Sequence, residues 1–278
     1  MDEVRKKELT EMAKKLRIDI LEMLCEAGSG HSGGSLSMAD VFSYLYFSGI
    51  LNVDPKNPDK KDRDRVVLSK GHACPVWYAA LAEKGYFDKS HLKKLRKYGS
   101  ILQGHPDMRK TPGVDMTTGS LGQGLSCAVG MAIGAKLDNL GCKIFAIVGD
   151  GECNEGQIWE AAMAAAHYKL DNLIAIVDKN GLQIDGFTKD VMNTEPLAEK
   201  WRAFGWEVIE IDGHNFDQID SAIGRAIETK GKPVCIIAHT TKGKGVYFME
   251  NVCDWHGKAP SKEEKEKALA SLCGEGAE

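Results

Sequence analysis

The feature that most limits how this chain can fold lies in its middle. Two uninterrupted apolar strand-like runs, residues 143–148 and 173–177, flank an alanine-rich helical stretch, residues 155–168. An apolar run without alternation reads as a strand covered on both faces. A strand–helix–strand unit of this length pairs its strands in parallel through a right-handed crossover. Strands expected at 206–211 and 234–238, with a helix at 217–229 between them, continue the alternation, and a short strand at 66–68 precedes it. The expected fold is therefore α/β: a doubly wound, mostly parallel sheet with helices on both faces.

The flanking segments fit that scheme. Leu9, Met12, Leu16, Ile20 and Leu24 recur every three or four residues, predicting an amphipathic helix that ends before Gly28. A second helix is expected at 38–46. Between 121 and 140 a run of small residues predicts a helix that other backbone can approach closely, and therefore a buried one. Ser261-Lys262-Glu263-Glu264 has the spacing of a capping box, opening a charged helix that stops at Gly274. We expect residues 1–260 to form one α/β domain and 261–278 a C-terminal helix and tail.

Charge excludes one class of partner: 36 Lys and Arg against 40 Asp and Glu leave a formal charge of −4, without the basic footprint that a phosphate backbone demands. Nor does any apolar run approach the roughly 18 residues of a membrane span. The N-terminus, Met1 to Lys7, has mixed charge and no apolar core, which predicts no export signal. Eight cysteines without a CxxC pair are expected to be reduced thiols of a soluble cytoplasmic protein.

Chemistry concentrates where strands end. Gly149-Asp150-Gly151 follows one strand of the central unit and Asn180-Gly181 follows the next. In a parallel sheet both lie at the carboxyl edge, on strands about 4.8 Å apart, in the crevice where open α/β folds bind ligands. One carboxylate and one carboxamide can share a hard cation such as Mg²⁺ together with diphosphate oxygens. The following helix would aim its N-terminus at the same anion. Neither a GxGxxG directly after a strand nor a GxxxxGK[ST] fingerprint is present, so ordinary dinucleotide and nucleoside-triphosphate sites are disfavoured, and thiamine diphosphate is an alternative diphosphate.

With these segments the chain resembles the transketolases in their N-terminal, diphosphate-binding half. The resembling motifs are Gly30-His31-Ser32-Gly33-Gly34-Ser35-Leu36, Ser69-Lys70-Gly71-His72-Ala73, Gly104-His105-Pro106, Thr118 to Gly124, Gly149 to Gly156, Asp185-Gly186 and Trp255-His256-Gly257. The resemblance implies that Asp150, Asn180 and the Leu182 main-chain oxygen hold Mg²⁺ or Ca²⁺. It implies that His72, Gly119, Ser120, Leu121, Gly151, Glu152, Asn180, Lys242 and His256 line thiamine diphosphate. His31, His72, His105 and His256 are the implied catalytic set, suited to proton handling because imidazole titrates near pH about 6.5. The implied reaction moves a two-carbon ketol unit from a ketose phosphate to an aldose phosphate (EC 2.2.1.1, in the pentose phosphate pathway). His91, His167, His214 and His239 read as structural. Glu155 fits two readings equally: a first-turn glutamate favoured by the helix dipole, or a carboxylate linking two active sites across a dimer.

Single-chain transketolases continue past the His-Gly-Lys region, whereas this sequence stops at Glu278. The resemblance then implies the N-terminal subunit of a split transketolase, whose pyrimidine-binding C-terminal subunit is a separate chain, in an α2β2 heterotetramer. Ser120 stands where many members place proline, and His31-Ser32 replaces the commoner His-Pro. The alternatives are the α subunit of a thiamine-diphosphate-dependent 2-oxo acid dehydrogenase, a deoxyxylulose-phosphate synthase, or a non-catalytic thiamine-diphosphate-binding module. The histidine loops weigh against all three.

Overall fold

In the computed structural model, which describes residues 1–274, the chain runs α1 (Glu3–Ala27), α2 (Gly33–Leu36), α3 (Ala39–Phe47), β1 (Arg65–Leu68), α4 (Cys74–Lys84) and α5 (Gln123–Leu137). It continues through β2 (Ile144–Gly149), α6 (Gly156–His167), β3 (Leu173–Lys179), α7 (Thr188–Val191), α8 (Leu197–Ala203), β4 (Glu207–Asp212), α9 (Phe216–Glu228), β5 (Val234–His239) and α10 (Lys262–Leu272). The five strands form one sheet in the order β1-β2-β3-β5-β4, and every pairing is parallel. The expected doubly wound architecture is present.

Side-chain alternation along the strands divides the core in two. Phe145, Ile147, Ile174, Ile176 and Ile236 point to the layer built by α1, α3, α4 and α9. Ile144, Ala146, Val148, Ala175 and Ile237 point to the layer of α5, α6 and α8. Helix limits follow local chemistry. Asp2 caps α1 by accepting the Arg5 N–H, and Gly28, at φ 64°, takes the left-handed turn that ends it. The capping box expected at Ser261 and Glu264 is formed, and α10 packs against α1 with Ala268 fully buried. Residues 275–278, the end of the expected tail, lie outside the described residues.

One expectation needs correction. The small-residue helix α5 is buried on one face only: Gly124, Leu125, Ala128 and Ala132 pack inward, whereas Gly130 faces out and Leu137 is 76% exposed. A helix in an outer layer has only one stripe to bury, and a run of Gly, Ala and Ser carries no apolar periodicity to mark it. All eight cysteines are unpaired, and among the described residues no helix is long and apolar enough to cross a membrane.

Candidate active site

Parallel pairing brings the loops after β1, β2, β3 and β5 to one edge, where they line a cavity of about 420 Å³. The β2–β3 register sets Gly149 opposite Asp178, so the two strand ends deliver Asp150 and Asn180 side by side. Asp150 is 3% exposed. Its carboxylate accepts the N–H groups of Gly151 at 2.8 Å and Gly181 at 2.6 Å, which aims it across the gap between the strands. Burial, and then the Asp178 charge, push its carboxyl up to about 6. Asn180 is oriented through both ends of its amide: Nδ2 donates to Asp178 at 2.9 Å and Oδ1 accepts the Leu182 N–H at 3.1 Å.

Lys242 completes this wall. Its ammonium donates to the Leu182 carbonyl at 3.0 Å and to His256 Nδ1 at 2.8 Å. Burial, and next the Lys70 charge, bring the Lys242 ammonium down to about 8. Among the described residues no three His, Cys, Asp or Glu side chains form a metal cage by themselves. The donor set is instead one carboxylate, one carboxamide and one main-chain carbonyl, all hard oxygens. The residues fit a hard divalent cation with a diphosphate supplying the remaining ligands. A carboxyl raised by its burial and a carbonyl already facing an ammonium both mark this as a place that takes positive charge.

Sequence reasoning missed the group that holds the wall together. Asp178, fully buried, accepts from Ser37 Oγ at 2.7 Å, Lys70 Nζ at 2.5 Å and Asn180 Nδ2 at 2.9 Å, and from Thr240 Oγ1. Burial alone would raise its carboxyl, but the Lys70 ammonium and these hydroxyls hold it below the usual range. Lys70, itself 2% exposed, also donates to the Gly34 carbonyl at 2.9 Å. The only available signal was position, a Lys inside the Ser69 to Ala73 motif and an Asp at a strand end.

The predicted cofactor residues fall in three groups. His72, Gly119, Leu121, Gly151, Asn180, Lys242 and His256 line the cavity, as does Leu182 of the expected metal set. Glu152 lines it too, but its carboxylate is turned into the protein, where it accepts from Ser69 Oγ at 2.5 Å, Gly122 N at 2.8 Å and Gly149 N at 3.0 Å. It pins two loops rather than facing the cavity. Ser120 is exposed on its turn and is not part of the lining. Two glycines make the loops fit: a Cβ on Gly71 would sit 2.8 Å from the Gly119 nitrogen, and Gly119, at φ 151°, lets the His105 ring pack against it.

The four histidines converge. His31 and His72 rings are 5.1 Å apart, His72 and His256 5.1 Å, and His31 and His256 5.6 Å. His105 stands at the rim, 6.5 Å from His31. All four are held in the neutral form. Burial and then Arg96 bring His31 down to about 4, burial and then Lys242 bring His256 to about 3, burial and then Lys70 depress His72 strongly, and burial and Arg96 lower His105. His31 Nδ1 is buried without a partner. Glu155 is exposed at the cavity margin, against Gly122.

Comparison with known proteins points the same way. The family model described as "Transketolase, thiamine diphosphate binding domain" matches residues 7–275. A 6-deoxy-6-sulfo-D-fructose transketolase subunit from Clostridium sp. (strain MSTE9) is 50% identical over 270 residues, covering 97% of this chain and 98% of that protein. One subunit of the apulose-4-phosphate transketolase from Actinobacillus succinogenes is 46% identical over 267 residues, covering 95% of this chain and 96% of that one. Among solved structures, the transketolase of Campylobacter jejuni superposes with a TM-score of 0.90 at 36% identity, covering 98% of this chain and 43% of that chain. The chain thus spans nearly the whole of these two relatives and less than half of the Campylobacter jejuni chain.

Proposed function

The chain belongs to the transketolase family, whose thiamine-diphosphate-binding domain it carries, and we propose that it is the N-terminal subunit of an enzyme that moves a two-carbon ketol unit between sugars. In this reading it acts only with a separate C-terminal subunit, in an α2β2 assembly. The named substrates of the two relatives are a sulfonated and a phosphorylated ketose. We take the donor of this chain to be a ketose with an anionic terminus, a sulfonate or a phosphate, without restricting it to the pentose phosphates of EC 2.2.1.1. The reading puts the protein in the cytoplasm and the domain division at residue 260, with α10 bracing α1.

The observation that carries the proposal is the meeting, in one cavity, of the Asp150, Asn180 and Leu182 oxygens with His31, His72 and His256. Asp150, Asn180 and the Leu182 carbonyl would hold Mg²⁺ or Ca²⁺, and Lys242 would exchange the Leu182 carbonyl for a diphosphate oxygen. When bound, thiamine diphosphate supplies the electron sink for the two-carbon unit once the ketose C2–C3 bond breaks. This chain's own residues orient the sugar and move its protons. A neutral imidazole can accept a hydroxyl proton or donate a hydrogen bond, and burial with nearby cations keeps all four imidazoles neutral. In His256, Nδ1 accepts from Lys242, so its own proton is on Nε2. His31 lines the cavity, where its ring would meet a sugar hydroxyl. His105, at the rim, reaches outward toward the donor.

The test is a ketol-transfer assay with thiamine diphosphate and Mg²⁺, offering phosphorylated and sulfonated ketose donors. It is run on this chain alone and after adding a separate C-terminal transketolase subunit. Transfer only in the mixture is the expected result. Transfer by the chain alone would overturn the two-subunit reading, and turnover of 2-oxo acids in its place would move the chain to the dehydrogenases.

A further inference from the structure

His214, read from sequence as structural, sits between the outer layer of the fold and the cavity. It follows β4, the edge strand, and its Nδ1 lies 2.7 Å from Asp40 Oδ2. Asp40, on α3, is 6% exposed and also takes a fork from Arg17 of α1, at 3.1 and 2.6 Å. On the other side of the ring, Nε2 lies 2.9 Å from the main-chain nitrogen of Thr241. A backbone N–H can only donate, so Nε2 is the acceptor and the ring proton resides on Nδ1, facing Asp40. The tautomer is fixed from both ends.

Thr241 immediately precedes Lys242. The backbone around them is tied by Gly213 N to His239 O at 2.8 Å, Thr240 N to Lys179 O at 3.1 Å and Gly243 N to Gly33 O at 3.0 Å. Asn251 N to Lys242 O at 2.9 Å and Thr240 Oγ1 to Asp178 add to these ties, and His214 is the side chain that accepts the Thr241 N–H. From this backbone the Lys242 stem runs over Gly33, where a Cβ would come within 2.9 Å of its Cγ, and reaches Leu182 and His256. A side chain threaded past a glycine has little room to recover if its own backbone shifts.

We propose that His214 is a positioning residue for the cofactor lysine: oriented by Asp40 and Arg17, it fixes the Thr241 N–H and so the point from which Lys242 enters the cavity. The arrangement follows the logic by which an outer carboxylate sets the tautomer and angle of a working imidazole, here with a backbone amide as the object positioned. It rests on the reading of Lys242 as a residue that meets thiamine diphosphate.

Two substitutions separate the halves of the ring. In His214→Asn the amide can replace Nδ1 at Asp40 but leaves Thr241 unbonded, whereas His214→Gln can reach the Nε2 position. Thiamine diphosphate affinity in Mg²⁺ is measured by calorimetry on the full chain, alone and with its C-terminal subunit, with thermal melts alongside. We expect about a tenfold loss for His214→Asn and a change within about twofold for His214→Gln, in the range of coupling between neighbouring residues. In a Lys242→Met background His214→Asn should cause no further loss. Equal losses for Asn and Gln, or losses that simply add to that of Lys242→Met, would assign His214 to general stability and overturn the proposal. If Lys242→Met alone leaves affinity unchanged, the reading of Lys242 fails and takes the proposal with it.

Discussion

Asp150 is the residue on which most of the site depends, since its carboxylate is buried, aimed by two amides and offset by the positive charge of Lys242. Asp150→Ala should weaken thiamine diphosphate binding in Mg²⁺ by about 100-fold or more, the upper end of what losing even an outer partner of a metal site costs. Calorimetry that finds near-native affinity would remove Asp150 from the metal assignment. His31 offers a prediction with a definite sign. Its folded value of about 4 lies below the ordinary imidazole value, so in that window the unfolded chain binds a proton the folded chain refuses. Stability is lost as pH falls from about 6.5 toward about 4. Asp150 works oppositely: its carboxyl is raised to about 6, so its contribution is present in acid and lost as pH rises through that value. The test is therefore a comparison of variants. Between pH about 7.5 and about 5, His31→Leu should lose about 1 kcal/mol less stability than the parent, read from denaturant melts at each pH. Equal losses would mean that His31 titrates normally in the folded state. Asp150 and Asn180 could be picked out in the sequence because each sits at a strand end next to glycine, and His31, His72, His105 and His256 because their loops resemble the transketolase motifs. Asp178 could not, since nothing in Val177-Asp178-Lys179 distinguishes a carboxylate gathering four donors from an ordinary strand terminus.

At the scale of elements, α5 tests how its glycines differ. A Cβ on Gly124 would sit 2.6 Å from the Ser69 Cα, against backbone that cannot swing away, whereas one on Gly130 would meet nothing within 4 Å. Gly124→Ala should destabilise the isolated chain by about 1–3 kcal/mol through overpacking. Gly130→Ala should stabilise it by about 0.5–1 kcal/mol through helix propensity. Thermal melts of the two variants would have to move in opposite directions. β1, β2, β3 and β5 were readable because each contains a short unbroken apolar run, and α1, α6 and α9 because their periodicity or caps are strong; β4, interrupted by Glu207 and Glu210, was read from its place in the alternation of elements. The short turns α2, α7 and α8 left no such mark. α2 consists of Gly33-Gly34-Ser35-Leu36, opened by two glycines that disfavour a helix, and is held in place by tertiary contacts such as Ser32 Oγ to the Lys258 carbonyl at 2.8 Å. Local sequence cannot report a conformation that distant parts of the chain impose.

For the molecule as a whole, the parallel doubly wound sheet followed from the alternation of elements, but the strand order did not, because periodicity does not reveal that β5 inserts between β3 and β4. The cavity it creates should tie ligand binding to global stability. Thiamine diphosphate with Mg²⁺ at about a hundredfold its dissociation constant should stabilise the chain by about 2.7 kcal/mol, and a chelator should reverse the gain. Melts unaffected by the pair would mean that the chain alone does not bind it. The four donors gathered by Asp178 come from Ser37, Lys70, Asn180 and Thr240, positions spread over most of the sequence. A chain emerging from the ribosome, its N-terminal part first, therefore displays the Gly149-Asp150-Gly151 turn well before the last of these donors has been made. Competence to hold a cofactor is an event in time: it waits on Thr240, just past β5, and a nascent chain that stops short of it carries the motif without the complete site.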